Sequence, residues 1–192
     1  MILTRSAFAL VLVSAALATP ALAEPMTGKA AKKLLFAPVT AEVEILPEAG
    51  LSQDMADALA MVGEGQPYYG AVAIAPEEGL MSEATVAAAN FHDTTAAGVA
   101  ALAECNVKKI TAQDCVLAAY IRPKGWKEAG FGLSSDATTA FKDYDRKTGA
   151  FAISVITGAF GMAAGEGSAD AALVNCAAKN DKATDCALVI AN

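Results

Sequence analysis

Histidine and tryptophan each occur once in this chain, as His92 and Trp126, and aromatic residues make up only 6% of it. A single histidine excludes the zinc motifs in which two imidazoles at helical spacing hold the metal. The four cysteines show no Cys-x-x-Cys spacing and have no histidine beside them, which argues against a zinc site on that side too. Basic residues are scarce, 14 against 21 acidic, for a net charge of −7. Nucleic acid needs a clustered cationic face to neutralise phosphates, so it is excluded as a partner. Beyond the N-terminus no stretch approaches the roughly 18 consecutive apolar residues of a membrane span. Gly-x-Ser-x-Gly is missing, and with it the nucleophile elbow of the hydrolases. Gly63-Glu64-Gly65 lacks the third glycine that opens a helix in dinucleotide sites. Asp143-x-Asp145 fails as a calcium loop because Lys147 occupies the next ligand position. No metal, cofactor or catalytic residue is therefore expected.

What is present begins with a leader. Arg5 supplies a positive start, Ala7 to Leu17 an apolar run, and Ala21-Leu22-Ala23 a small-x-small cleavage site. These features predict a signal peptide over residues 1–23 and a mature chain of 169 residues from Glu24, periplasmic or secreted. Cleavage removes one base and no acid, which takes the net charge to −8. Four cysteines in an exported chain read as two disulfides.

Residues 50–121 and 132–192 read as one unit written twice. Gly50-Leu51-Ser52-Gln53-Asp54 recurs as Gly132-Leu133-Ser134-Ser135-Asp136. ALAEC, nine residues and CVL (Ala101 to Leu117) recur as ALVNC, nine residues and CAL (Ala172 to Leu188). The fold class expected is α+β: a tandem duplication of a helix–strand–strand–helix–strand unit, each with one disulfide. Four cysteines allow three connectivities. A duplicated ancestor pairs its own two, so Cys105 joins Cys115 and Cys176 joins Cys186. Each bridge closes a loop of about ten residues and contributes about 2–3 kcal/mol in the chain-entropy model.

Within each unit, Ser52 and Ser134 are good helix N-caps. Met55, Ala58, Leu59 and Val62 form an apolar stripe at i, i+3, i+4 and i+7, as do Ala137, Ala140, Phe141 and Tyr144. A strand follows over residues 71–74 and its counterpart over 152–155. Thr157-Gly158 makes a tight turn in the second unit, where the first has a longer connection, Pro76 to Glu83. The second helix runs over 94–105 and 168–178, with Ala169, Ala172, Leu173, Cys176 and Ala177 on its apolar face in the second unit. The last strands, 115–121 and 186–191, are nearly continuous apolar runs, which predicts a central place in a sheet. Residues 24–49 form a preface with a helix over 27–35 and a strand over 39–46 that adds to the edge of the first unit. Arg122-Pro123-Lys124-Gly125-Trp126-Lys127 opens a linker over 122–131.

The run AISVITGAFGMAAG (Ala152 to Gly165), followed by an alanine-rich helix ending in cysteine and by Asp-Cys and an apolar strand, resembles a family of small exported bacterial domains of unknown function. The first unit matches at Tyr69-Gly70-Ala71-Val72-Ala73 and at Ala100 to Cys115, without the Thr-Gly hairpin. The resemblance covers most of both units and implies a fold but no catalytic residues. The whole chain also resembles proteins labelled 5-aminolevulinate synthase. That activity implies pyridoxal phosphate in a far larger fold, with a glycine-rich phosphate loop and a Schiff-base lysine. This chain presents neither.

Two places carry chemistry worth testing. His92 reads as a cap or loop residue at a helix start rather than as a general base oriented by Asp93, since no nucleophile accompanies it. Arg122, Lys124 and Lys127 surround Trp126, a grouping that suits an anionic glycan or the acidic face of a partner. Leu80 and Met81, flanked by Glu77, Glu78 and Glu83, sit in the long connection of the first unit, where insertions often carry function. The expected function is that of an exported non-enzymatic protein binding a protein or cell-envelope component. The alternative is a small enzyme or enzyme accessory with its site between the units.

Overall fold

The computed structural model describes residues 24–39 and 41–192. The leader expected over residues 1–23 lies outside them. The chain is α+β, with two separate antiparallel sheets. In chain order the elements are α1 (Gly28–Lys32), β1 (Ala41–Ile45), α2 (Gln53–Glu64), β2 (Gly70–Ile74), β3 (Val86–Ala88), α3 (Thr94–Lys108), β4 (Val116–Pro123), α4 (Ser135–Ala140), β5 (Gly149–Ile153), β6 (Phe160–Ala164), α5 (Ser168–Ala177) and β7 (Ala187–Ala191), with 3-10 turns at Pro47–Ala49 and Phe141–Asp143. The first sheet has the order β1-β4-β2-β3 and the second β6-β5-β7.

Each sheet lies between two helices, and the central strand explains why. Gly-Ala-Val-Ala-Ile of β2 turns Ala71 and Ala73 toward α3, and Val72 and Ile74 toward α2. Gly-Ala-Phe-Ala-Ile of β5 turns Ala150 and Ala152 toward α5, and Phe151 and Ile153 toward α4. Alternation with period two sorts small side chains to one face and large ones to the other. The alanine face lets the cysteine-bearing helix sit close; the large face fills the thicker layer, where burying one Phe or Ile contributes about 1.5–3 kcal/mol. Both central strands carry a register shift at the same step, between Val72 and Ala73 and between Phe151 and Ala152.

The bridges are Cys105–Cys115 and Cys176–Cys186, each with a sequence separation of 10, as expected. Ser52 and Ser134 cap α2 and α4 through Met55 N–H and Ala137 N–H. Ala137, Phe141 and Tyr144 are buried as the stripe requires. Cys176 and Ala172 face inward on α5, whereas Ala177 is exposed.

Four expectations need correction. The buried side of α2 is Ala56, Leu59, Ala60 and Gly63, one position round from the expected stripe; Met55 and Val62 are 44% and 64% exposed. Glycine decides this: a methyl at Gly63 would lie 2.6 Å from Val43 Cγ2, so the helix presents its smallest side to β1 and leaves larger apolar groups outside. The central strand of the second half is Gly149–Ile153, not 152–155, because Ser154 begins the turn, its N–H bonded to Ala159 O at 2.8 Å. The last strand of the second half, β7, is not central. It borders β5 on one side and, among the described residues, meets only a single parallel bridge between Ile190 and Met26 on the other. Finally, Arg122 and Pro123 belong to β4 rather than to a linker. The preface divides its contacts. β1 joins β4 at the edge of the first sheet, while Met26 and Ala31 pack on the core of the second beside Leu133 and Ile190.

Candidate functional site

The two halves meet where three backbone segments cross. Asn90-Phe91-His92, leaving β3, runs between Gly132-Leu133-Ser134 at the start of α4 and Thr157-Gly158-Ala159 in the β5–β6 hairpin. Two glycines make the crossing possible. A methyl at Gly132 would lie 2.6 Å from the His92 carbonyl oxygen, and one at Gly158, already at φ +72°, would run into the Asn90 carbonyl. Asn90 adopts a left-handed conformation, φ 65°, that asparagine tolerates better than most residues. There it exchanges two hydrogen bonds with Asp136 in the first turn of α4. Its side-chain Nδ2 donates to Oδ2 at 2.8 Å, and its side-chain Oδ1 accepts from the Asp136 N–H at 3.1 Å.

His92 is the pin of this crossing. It is 2% exposed. Ser134 N–H donates to Nδ1 at 3.0 Å, and Nε2 faces Ala159 O at 3.1 Å. A nitrogen that accepts from an amide carries no proton, so the neutral ring holds its proton on Nε2 and donates it to the carbonyl. Burial pushes its pKa down, against the opposing pull of the Ala159 carbonyl and of the Asp93 and Asp185 charges. Asp93 does not orient the ring; its Oδ1 accepts from Ala96 N–H at 2.7 Å and caps α3. Both ring nitrogens are engaged with backbone, which leaves neither to serve as a base in this state.

Beside the crossing opens a cleft of about 600 Å³, walled by Tyr69, Tyr120, Trp126 and Phe131, with Arg122, Asp93 and Glu128 among its polar groups. This is the size of ordinary small-ligand sites, about 300–1,000 Å³. Tyr120 and Arg122, two residues apart on β4, share a face of the sheet. Across the strand pair, Glu42 stands opposite Arg122 and Glu44 opposite Tyr120. The guanidinium forms an ion pair with Glu44 and lies 4.3 Å from the centroid of the Trp126 ring and 5.0 Å from that of Tyr120. Its Nε is sealed from solvent without a hydrogen-bond partner, and burial lowers the guanidinium pKa, offset in part by Glu42. Tyr69, in the same wall, stands at φ 24°, a backbone angle that side chains rarely adopt. Its hydroxyl is pushed up to about 12, chiefly by burial and then by neighbouring Tyr68, with the Trp126 indole N–H acting the other way.

The sequence-derived candidates therefore separate. Trp126 and Arg122 lie in the cleft wall. Lys124 and Lys127 are exposed and do not line it. Leu80 packs on the core between α2 and the first sheet, while Met81 is 94% exposed. The connection that holds them is braced by Glu78, which accepts from Ile110 N–H, Thr111 N–H and the Thr111 hydroxyl at 2.8, 3.1 and 3.0 Å. Those bonds, with one from Ser82, hold its carboxyl down at about 2. Asp145 folds onto Lys147 N–H and Thr148 N–H in a local turn. Sequence reasoning missed Tyr69, Tyr120, Asp93, Glu128 and Phe131 as cleft residues. They come from four different segments of the first half and the connection after it, which only the fold gathers, while Gly132, Ile153 and Val155 of the second half complete the lining. Among the described residues no helix is long and apolar enough to cross a membrane, and no group of three His, Cys, Asp or Glu side chains is gathered for a metal. No family model, curated protein or solved structure matches this chain.

Proposed function

We propose that this chain is an exported, non-enzymatic binding protein that engages a cell-envelope component or a partner protein through the cleft between its halves. The observation that carries the reading is the aromatic-walled cleft of about 600 Å³ beside the hydrogen-bonded crossing of the two halves. Support comes from the strained Tyr69 in its wall, since uncommon backbone angles gather where a site is held ready. Two disulfides that use all four cysteines support export, because such bridges persist in oxidising compartments. Binding is favoured over catalysis by the engagement of both His92 nitrogens and by the pairing of every thiol.

We read the halves as a duplicated unit. That reading is supported by matching strand orders β3-β2-β4 and β6-β5-β7, register shifts at the same step, and bridges of equal span. After duplication, a cleft between the copies is a surface that neither copy had alone.

The test is a thermal-shift screen of residues 24–192 against defined envelope glycans, peptidoglycan fragments and lipid-headgroup analogues, repeated on Trp126→Phe. A ligand at 100 times its dissociation constant raises stability by about 2.7 kcal/mol, several degrees for a chain of this size. Stabilisation that Trp126→Phe reduces, at an unchanged melting temperature of the free protein, supports the reading. Stabilisation indifferent to Trp126 places binding elsewhere and rejects it.

A further inference from the structure

We infer that the cleft receives an organic cation, an alkylammonium or guanidinium group; this rests on the cleft being a binding site. The chain's basic residues at first suggest the opposite. Of the bases near Trp126, only Arg122 lines the cleft, and its charge is already spent. Glu44 holds the guanidinium in an ion pair, Glu42 stands opposite it in the next strand, and the rings of Trp126 and Tyr120 lie against it. Its unpartnered Nε is sealed from solvent and so out of a ligand's reach. Among the described residues, an arriving anion would find no free positive side chain lining the cleft.

What the cleft does offer is negative. Asp93 commits one carboxylate oxygen to the α3 cap, and Glu128 is exposed and forms no ion pair among the described residues. Around these carboxylates stand Tyr69 and Phe131, with Tyr120 and Trp126 beside them, each already giving one ring face to Arg122. Aromatic faces carry negative electrostatic potential and attract cations within about 6 Å. A carboxylate at the rim of an aromatic wall adds a charge term that strengthens as water is displaced. The chain's overall charge of −7 acts in the same direction at longer range, drawing cations toward it. Alkylammonium and guanidinium groups shed water more readily than a compact inorganic ion, and their carbon surfaces suit the ring faces.

Trp126 is the only tryptophan, so its emission reports on the cleft alone. Residues 24–192 are titrated with choline, with an acetylated arginine amide, with a neutral monosaccharide and with acetate. The expected result is a saturable change with choline or the arginine amide, weaker at higher ionic strength, and no change with the sugar or acetate. Choline alone responding points to a small quaternary ligand; the arginine amide alone points to a side chain of a partner. Asp93→Asn keeps a good N-cap while removing the charge, and Glu128→Gln removes the other. Each is expected to weaken binding about two- to fivefold, with melting temperature unchanged. A Trp126 response to the sugar or acetate alone overturns the cation assignment while leaving the cleft a binding site. Silence toward all four probes, together with a failed envelope screen, overturns both.

Discussion

In the first half, the carboxylate that holds the disulfide loop comes from outside it; in the second, it comes from within. Glu78 stands in the connection between β2 and β3 and accepts three hydrogen bonds from Ile110 and Thr111, inside the loop closed by Cys105–Cys115. Asp185 stands inside the loop closed by Cys176–Cys186 and accepts from the Ser154 hydroxyl and from Ile156 N–H, in the turn between β5 and β6. The same two places are tied together with donor and acceptor exchanged. The required feature is thus the tie itself, joining the helix–strand loop to the strand–strand connection. A connection as long as Pro76 to Glu83 has room for its own carboxylate; the tight hairpin offers only amides and hydroxyls, so the loop must bring the charge.

The halves differ more in what else holds them. The first sheet has four strands, with β1 covering β4, whereas β7 in the second meets only the Met26 bridge on its outer side. Replacing both cysteines of one bridge by alanine should cost about 2–3 kcal/mol in either half, and more in the second. Urea unfolding of Cys176→Ala/Cys186→Ala against Cys105→Ala/Cys115→Ala measures the difference. Equal losses would mean that the extra strand of the first half lends its loop no support.

The helix-to-sheet spacing offers a second contrast. Gly161 stands opposite Ala152, and Val86 holds the corresponding place opposite Ala73. A methyl at Gly161 would meet the backbone of Ala172 and Cys176, so α5 lies closer to its sheet than valine would allow. Gly161→Ala should destabilise by about 1–3 kcal/mol, since backbone cannot yield as a side chain does. A melting temperature within a degree of the parent would show that α5 slides freely on the sheet.

These contrasts also mark what was legible from residues alone. The paired motifs disclosed the bridges and the common element order, because in both halves one cysteine lies near a helix end and its partner just before a strand. The inward side of α2 was not legible. Periodicity counts large apolar residues such as Met55 and Val62, whereas Gly63 sets the packing through a contact with Val43 that only the fold brings about. The cleft was half visible. Trp126 and Arg122 stand out in an acidic chain, but Glu42 and Glu44, some eighty residues earlier, come beside Arg122 only through the pairing of β1 with β4. His92 has no counterpart in the second unit, which hid its role: it pins the two units together, and one pin serves both.

That pin makes the junction between halves respond to acid. The folded pKa of His92 is lowered by burial, so the unfolded chain, near 6.5, binds a proton first as pH falls. More protons on the unfolded state means stability rises with pH across this range and declines below about 6.5, by at most about 1.4 kcal/mol per pH unit, until the folded pKa is reached. Protonation would also set Nδ1–H against the Ser134 N–H. The expected outcome is a urea midpoint that falls between pH 7 and pH 5 in the parent and stays level in His92→Gln, with the single imidazole resonance titrating below 6.5. A resonance that titrates at 6.5 would show that the ring is reached by solvent and that the halves part readily.

The smallest effect belongs to the carboxylate braces, and it separates them from the pin by its pH window. Hydrogen bonds from Ser82 and Thr111 hold Glu78 at about 2 against an ordinary 4.5. For Asp185, burial works against ionisation, but bonds from Ser154 and Ile156 outweigh it and keep the carboxyl below its ordinary 3.8. A depressed folded pKa means the stabilisation is present above the unfolded value and fades as pH falls through the folded one, the acid side of the His92 window. Asp185→Asn should therefore cost below about 1 kcal/mol at pH 7, and progressively less as pH falls below the ordinary 3.8. Glu78→Gln should lower stability at pH 7 in the same sense and converge on the parent only as pH falls through about 2. If donor and acceptor are truly interchangeable between the halves, hydrogen exchange in Asp185→Asn should quicken at Ile156 N–H, and in Glu78→Gln at Ile110 and Thr111 N–H. Protection lost at only one of the two ties would show that one half relies on its bridge alone.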